Sequence, residues 1–357
     1  MEARQNRLIA VRHVKRQIEE RLLHRANVVG VGVGYKHAAG ASTGELAVMV
    51  SVIEKQPLAA LAAADRVPRT IGGVATDVVE TGDLVARATL LAPSPQRLHA
   101  VRQAPTDRLR PARPGISIGH HQVTAGTLGC LVHRGGELYI LSNNHVLANS
   151  NEARVGDAIW QPGRADGGGP EDVIGMLAEF VPIAFDGEPD PAPPEEGSGC
   201  LPLVGVLADL LSQLQLRPPA LGRKNIPGAN QVDCALARPT TFDLVNPDIV
   251  GIGVPAGVGH ATLGTQVQKS GRTTGLTRGT ILQIDVTATI NYGGRQAVFT
   301  NQLLAGAMSQ GGDSGSLVLD LHSQAVGLLF AGSPATTVIN SIEFVLEALN
   351  VQMVTSA

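Results

Sequence analysis

The chain has 357 residues, a formal net charge of −3, 43% hydrophobic but only 3% aromatic residues, 42 glycines and 22 prolines. This is too apolar for a disordered chain, long enough for two domains, and so rich in turn formers that many short β elements are expected rather than a helical bundle. Residues 1–115 hold 17 basic and 10 acidic side chains and residues 116–357 hold 11 and 21; this polarity is consistent with contact between the two parts, with attraction of basic substrates to the second, or with surface charge that has no role, but scattered basic residues without interleaved aromatics argue against nucleic-acid binding.

Residues 5–25 carry Leu8, Val11, Val14, Ile18, Leu22 and Leu23 at three-to-four-residue spacing, which predicts an amphipathic helix. Two β-rich runs follow, Val28–Tyr35 and Glu45–Glu54, joined by a turn over 40–44, then an alanine-rich helix over Pro57–Ala64 and a strand at Gly73–Glu80. Together they predict a small α+β domain over 1–92. Residues 93–115, rich in Pro, Arg and Gln without periodicity, read as a linker, and Arg102, Arg108, Arg110 and Arg113 mark it as a processing site or a solvated tether.

Beyond it, β-type runs at Gly126–Val132, Leu138–Ser142, Val232–Leu236, Thr265–Lys269, Gly279–Val286, Ala297–Asn301, Ser316–Leu319 and Ala325–Phe330 predict an all-β barrel or sandwich over 116–357. Residues 161–230, with many prolines and acids and an apolar stretch at Leu201–Leu216, read as an insertion containing a helix. A final helix is predicted from an Ser341 cap to Leu349.

No run of about twenty apolar residues is present, and Met1–Arg7 lacks the apolar core of a signal peptide, so a cytoplasmic protein without membrane association is expected. Cys130, Cys200 and Cys234 are too widely spaced for a disulfide framework or a CxxC metal site. The His120-His121 pair points to opposite faces of a strand and has no acid or cysteine at ligand spacing, and Gly30-x-Gly32-x-Gly34 lacks the further glycine and helix of a dinucleotide site. No cofactor or metal is expected.

Chemistry concentrates at three strings. Gln310-Gly311-Gly312-Asp313-Ser314-Gly315-Ser316 precedes an apolar strand, and its glycines let backbone N–H groups approach a substrate carbonyl beside an accessible hydroxyl. A serine needs a base, and His145 stands at a strand end in Ser142-Asn143-Asn144-His145-Val146-Leu147. An imidazole base needs a shielded carboxylate, and Asp233 lies in the apolar string Val232-Asp233-Cys234-Ala235-Leu236. Taken singly, each string is also explained as a turn, a structural histidine or a strand-end aspartate bonded to backbone.

Together, in the order histidine, aspartate, serine, these strings resemble the chymotrypsin/trypsin-like serine proteases. An α/β-hydrolase has serine first, and its GxSxG elbow fails because position 316 is serine. The resemblance implies Ser314 as nucleophile, His145 as base and then acid, Asp233 as its orienting carboxylate, the N–H groups of Gly312 and Ser314 as oxyanion hole, and two six-stranded β-barrels over roughly 116–340 with the triad between them. Lys269-Ser270-Gly271-Arg272-Thr273-Thr274-Gly275, read physically as a glycine-punctuated hairpin, together with Gly126-Thr127-Leu128-Gly129-Cys130 and the Val28–Tyr35 unit, is similar to bacterial trypsin-like peptidases related to plant NARROW LEAF 1.

Departures from secreted proteases are clear. No cysteine follows His145 to staple its loop, no Ile-Val-Gly-Gly terminus is present for zymogen activation, and the wide separation of His145 from Asp233 locates the insertion. The resemblance places substrate-pocket walls at Met308 and along Leu328, Leu329, Phe330, Ala331 and Gly332, without an acid, implying a small or aliphatic residue before the scissile bond of a protein or peptide substrate. The rivals are a catalytically silent peptide-binding module and a serine esterase. For the N-terminal domain, an intramolecular inhibitor, a folding aid and a homo-oligomer assembly surface are all consistent with its charge.

Overall fold

The computed structural model of the chain describes residues 2–38, 40–86, 104–189 and 228–356. It is mainly β, with two large sheets and few helices among the described residues. The predicted helix of Leu201–Leu216, Cys200 and Arg102 lie outside those residues.

The first sheet runs in a ring through strands Ser117–His120, Gly126–Thr127, Cys130–Arg134, Glu137–Ser142, Ala235–Pro239, Val173–Phe180 and Ala158–Trp160, which pairs back to the first. The run expected over 126–132 is broken in two, and the Gly129 N–H bridges the break by donating to the Leu141 carbonyl at 3.0 Å. Inside lie Ile116, Ile118, Leu128, Leu131, Ile140, Ile159, Ile174, Leu177 and Ala237. Val173–Phe180, within the expected insertion, is a full member of this ring.

The second sheet closes a six-stranded barrel. Its order is Gln266–Gly271, Leu317–Asp320, Gln324–Gly332, Thr336–Ser341, Arg295–Gly306 and Gly275–Tyr292, and the last pairs back to the first with Gly271 opposite Gly275. Gly275–Tyr292 is 18 residues long and overhangs the barrel. Its free flank takes the N-terminal strands: Val28–Ala38 pairs with it antiparallel, followed by Ala41–Val52, Val74–Glu80 and Thr70–Ile71. The strands run further into the expected 40–44 turn than the sequence indicates.

Helix α1, Glu2–Leu23, lies on this extension. Val11, Val14, Ile18 and Leu22 are buried against Val31, Val33, Val48, Val50, Ile281 and Ile284, each contributing about 1.5–3 kcal/mol of hydrophobic stabilisation. Leu8 and Leu23 are only partly buried. On the same helix Lys15 is buried, paired with Glu19, and donates to Thr287 Oγ1 at 2.7 Å. Burial holds its pKa below the usual lysine value, opposed by the Glu19 charge.

The helix expected over Pro57–Ala64 is two 3₁₀ turns instead, Leu58–Ala60 and Ala63–Asp65, with no buried residue in either. Without an apolar face to bury, alanine propensity does not sustain a longer helix. Of the expected linker, residues 104–115 pack on the first barrel: Leu109 and Ala112 are buried, Arg108 pairs with Asp172 at 2.7 Å and Arg113 pairs with Asp248. The C-terminal helix spans Ile342–Ala348 after Ser341, which makes no side-chain capping bond, and buries Ile342 and Val345.

Candidate active site

His145 enters from the first barrel. Strand Glu137–Ser142 ends in a one-turn helix, Asn144–Leu147, whose four side chains are all buried. Asp233 comes from the opposite direction, two residues before strand Ala235–Pro239 rather than inside a strand as expected, and its side chain is wholly buried. Pairing of Ala235 with Ser142 brings the two together. Asp233 Oδ2 lies 2.6 Å from His145 Nδ1, and Oδ1 accepts the His145 backbone N–H at 3.3 Å.

The aspartate is fixed at every polar atom. Asn143 Nδ2 donates to its carbonyl at 2.7 Å, its N–H donates to Asn340 Oδ1, and the Tyr292 hydroxyl donates to Oδ2 at 2.8 Å. Tyr292 meets the His145 ring edge-on with centroids 5.9 Å apart. Burial and the Asp233 charge push the Tyr292 phenol well above the usual tyrosine range, so it stays a neutral donor. Four of the chain's ten aromatic residues, Phe185, Tyr292, Phe299 and Phe330, pack in sequence beneath this pair. Sequence reading missed Tyr292 and Asn340 because neither stands in a recognisable string.

Ser314 sits on the turn between Arg295–Gly306 and Leu317–Asp320. Its backbone carbonyl accepts the Thr127 N–H at 2.8 Å, while Thr127 Oγ1 donates to the Gly312 carbonyl and Ser142 Oγ to the Thr127 carbonyl. The Gly126-Thr127 segment thus straps the Ser314 turn to the strand that ends at the histidine. A Cβ on Gly126 would come within 2.4 Å of Val146 and 3.1 Å of the Ser314 carbonyl, so any side chain there would drive the two apart. Gly315, at φ +95°, has the Ser142 hydroxyl 2.1 Å from where a Cβ would stand.

After Nδ1 is used, His145 Nε2 is buried without a hydrogen-bond partner among the described residues, the nitrogen a base would present to a hydroxyl. The Ser314 hydroxyl donates to the Phe330 carbonyl at 3.3 Å.

The turn itself is held from below by a buried ion pair. Asp313 and Lys269 have fully buried side chains, with Lys269 Nζ 3.1 Å from Asp313 Oδ2. Asp313 Oδ1 accepts the N–H groups of Thr273 and Thr274 at 2.9 and 3.1 Å, and Oδ2 accepts the Thr274 hydroxyl at 2.6 Å and the Gln310 N–H at 3.0 Å. Desolvation lowers the Lys269 pKa and the Asp313 charge opposes that shift. The string read physically as a hairpin therefore also organises the turn that carries Ser314. Thr273 Oγ1 also donates to the Gly311 carbonyl at 2.7 Å. A peptide's C=O and N–H point opposite ways, so this bond aims the Gly312 N–H away from Thr273.

Ser314 opens onto a cavity of about 680 Å³. Of the residues named from sequence as pocket walls, Met308, Leu329, Ala331 and Gly332 line it, whereas Leu328 and Phe330 do not and are buried in packed clusters. Asp83 and Val85, from the N-terminal part, also line it and were not anticipated.

No protein-family model and no curated protein sequence matches the chain. Among solved structures it is similar to Thermobifida fusca protease A, with 20% identity over 69% of this chain and 100% of that chain and a TM-score of 0.42. It is similar to a Cellulomonas bogoriensis chymotrypsin, with 19% identity over 68% and 98% of the two chains and a TM-score of 0.41. It also matches Nocardiopsis protease, with 18% identity over 68% and 100% and a TM-score of 0.42.

Proposed function

We propose that the chain is a serine endopeptidase that hydrolyses peptide bonds through an acyl-enzyme on Ser314. The observation that carries this reading is the 2.6 Å contact between His145 Nδ1 and the wholly buried carboxylate of Asp233, which leaves Nε2 for the serine. His145 takes the Ser314 proton as the hydroxyl attacks the substrate carbonyl and returns it to the leaving amine; water then enters by the same route and releases the acid. Asp233 fixes the tautomer and stabilises the imidazolium. The N–H groups of Gly312 and Ser314 receive the oxyanion, with Thr273 acting as a positioning residue.

The residue before the scissile bond is small or aliphatic in this reading, because Met308, Leu329 and Ala331 furnish apolar walls, and the acid that reaches the same cavity, Asp83, comes from the N-terminal part and not from those walls. Peptides cleaved best after arginine would overturn that specificity.

The reaction is tested by labelling the full chain with a fluorophosphonate and mapping the adduct by mass spectrometry, with His145→Ala as control. An adduct on Ser314 that disappears in the control is expected. A chain that stays unlabelled, or labels equally in the control, sinks the proposal.

A further inference from the structure

The strand Gln324–Gly332 has one edge that passes the nucleophile. On its other side it pairs with Thr336–Ser341 from Gly327 to Gly332, whereas on this edge its barrel partner ends at Leu317, after which the Gly315 N–H reaches the Leu329 carbonyl. A register shift between Leu329 and Ala331 carries this edge past the end of the barrel partner: Leu329 bonds Gly315 and Ser316 on it, and Gly332 bonds outward on it through both its N–H and its carbonyl. The Phe330 carbonyl accepts the Ser314 hydroxyl. An extended peptide approaching Ser314 along this edge would add to the sheet through Gly332.

That position is taken by the chain itself. The Val85 N–H donates to the Gly332 carbonyl and the Gly332 N–H to the Val85 carbonyl, both at 3.0 Å, as an antiparallel bridge. On its other side the segment pairs in parallel with Asn291: the Asn291 N–H donates to the Leu84 carbonyl at 2.9 Å and the Ala86 N–H to the Asn291 carbonyl at 3.0 Å. The Ser333 hydroxyl donates to the Thr81 carbonyl. Side chains alternate: Leu84 and Ala86 are buried in the cluster of Phe185, Phe299 and Phe330, while Asp83 and Val85 line the cavity with Ser314. The antiparallel direction carries the segment from Thr81 toward the Phe330 and Ser314 end of the edge.

We propose that residues 83–86 are an intramolecular ligand occupying the edge by which an extended peptide reaches Ser314, so that long peptides bind only when this segment leaves. The proposal rests on the serine-hydrolase reading for its consequence but on the Val85 to Gly332 pairing for its geometry. A small acyl or phosphonyl reagent has no need of the edge, so it distinguishes the chemistry from the occupancy.

The probe is a fluorescent peptide with the chain's own sequence from Thr81 to Leu90, titrated by anisotropy against the full chain carrying Ser314→Ala, which separates binding from turnover. Adding Leu84→Ala removes the anchor of the resident segment and is expected to tighten binding of the added peptide at least about tenfold, since the intramolecular competitor loses occupancy. Equal affinities with and without Leu84→Ala would overturn the proposal. A second variant runs the test in reverse: a Cβ on Gly82 lies 3.3 Å from Ser333 Cβ, near the ~3.5–4.5 Å that a disulfide spans. In the Gly82→Cys, Ser333→Cys, Ser314→Ala chain, oxidation is expected to weaken peptide binding at least about tenfold and reduction to restore it; binding unchanged by redox state would overturn the proposal. Fluorophosphonate labelling of the chain with Ser314 intact reads the other question. Labelling combined with equal affinities removes only the resident ligand, whereas displacement without labelling removes only the hydrolase.

Discussion

The two sides of the cleft hold their reactive groups by different means. His145 rides a short helix packed on all its side chains, and its orientation is set by one carboxylate that touches the imidazole directly. Ser314 rides a turn with glycine on either flank, and the carboxylate next to it, Asp313, turns away into the barrel to meet Lys269 and Thr274. One buried acid therefore meets an imidazole, the other mostly backbone N–H groups. Each carboxylate is fully buried with several donors, as a buried charge requires, but their removal has different consequences.

Substitution of the first acid breaks the comparison most sharply. Asp233→Asn keeps the size and most hydrogen bonds but presents an N–H where the imidazole N–H needs an acceptor; kcat is expected to fall about 10⁴-fold with little change in urea midpoint. Steady-state turnover of an activated ester and urea unfolding followed by circular dichroism measure the two quantities. A loss below tenfold would mean that Asp233 does not orient the histidine.

The second acid is probed through its partner. Lys269→Met leaves Asp313 buried and unpaired, and stability is expected to fall by about 3–5 kcal/mol, read as a lower urea midpoint, with activity lost alongside it. Adding Asp313→Leu removes the orphan charge and should recover most of the stability but not the activity, since the turn loses the acceptor of its Thr273, Thr274 and Gln310 N–H groups. If the double variant regained activity, Asp313 would not be organising the turn.

Between these sits Thr273, whose hydroxyl holds the Gly311 carbonyl. Thr273→Val should lower kcat about tenfold with KM held, a fraction of the ~10²–10³ lost when an oxyanion donor disappears outright. Thr273→Ser, which keeps the hydroxyl, should restore the rate; a Ser variant as slow as the Val variant would mean that the methyl group matters and not the bond.

The two sides also differ in how far they can be read without coordinates. The strings of the proposed triad stand out in the sequence because each needs particular residue types in a local frame: glycines around Ser314, a histidine after a strand, an acid in an apolar run. Their supports do not. Tyr292 reaches Asp233 from the tip of an 18-residue strand, and Asn340 reaches it from a strand over a hundred residues later, with no local pattern to announce either. Val173–Phe180 is hidden in a proline-rich, acidic neighbourhood although it is apolar but for Glu179, because composition over a long window outweighs eight residues. Val85 at Gly332 is harder still to foresee, a long-range contact made through backbone atoms alone, which carry no sequence signal.

The smallest expected effect sharpens the first side of the comparison. Tyr292→Phe removes one of the donors to Asp233 and leaves the ring, with its contacts to His145 and Phe299, in place. A hydrogen bond to a charged group contributes about 1.5–3 kcal/mol, but the carboxylate keeps its contacts with the His145 N–H and Nδ1, so a fall in kcat/KM of about three- to tenfold is expected rather than collapse. The phenol is held neutral well above its usual range, so the wild-type bond persists through the mildly alkaline region, and the ratio of wild-type to variant rates should stay constant from pH 7 to about pH 10. A ratio that shrank toward one as pH rose through that window would show the hydroxyl ionising, and the donor role assigned to Tyr292 would fail.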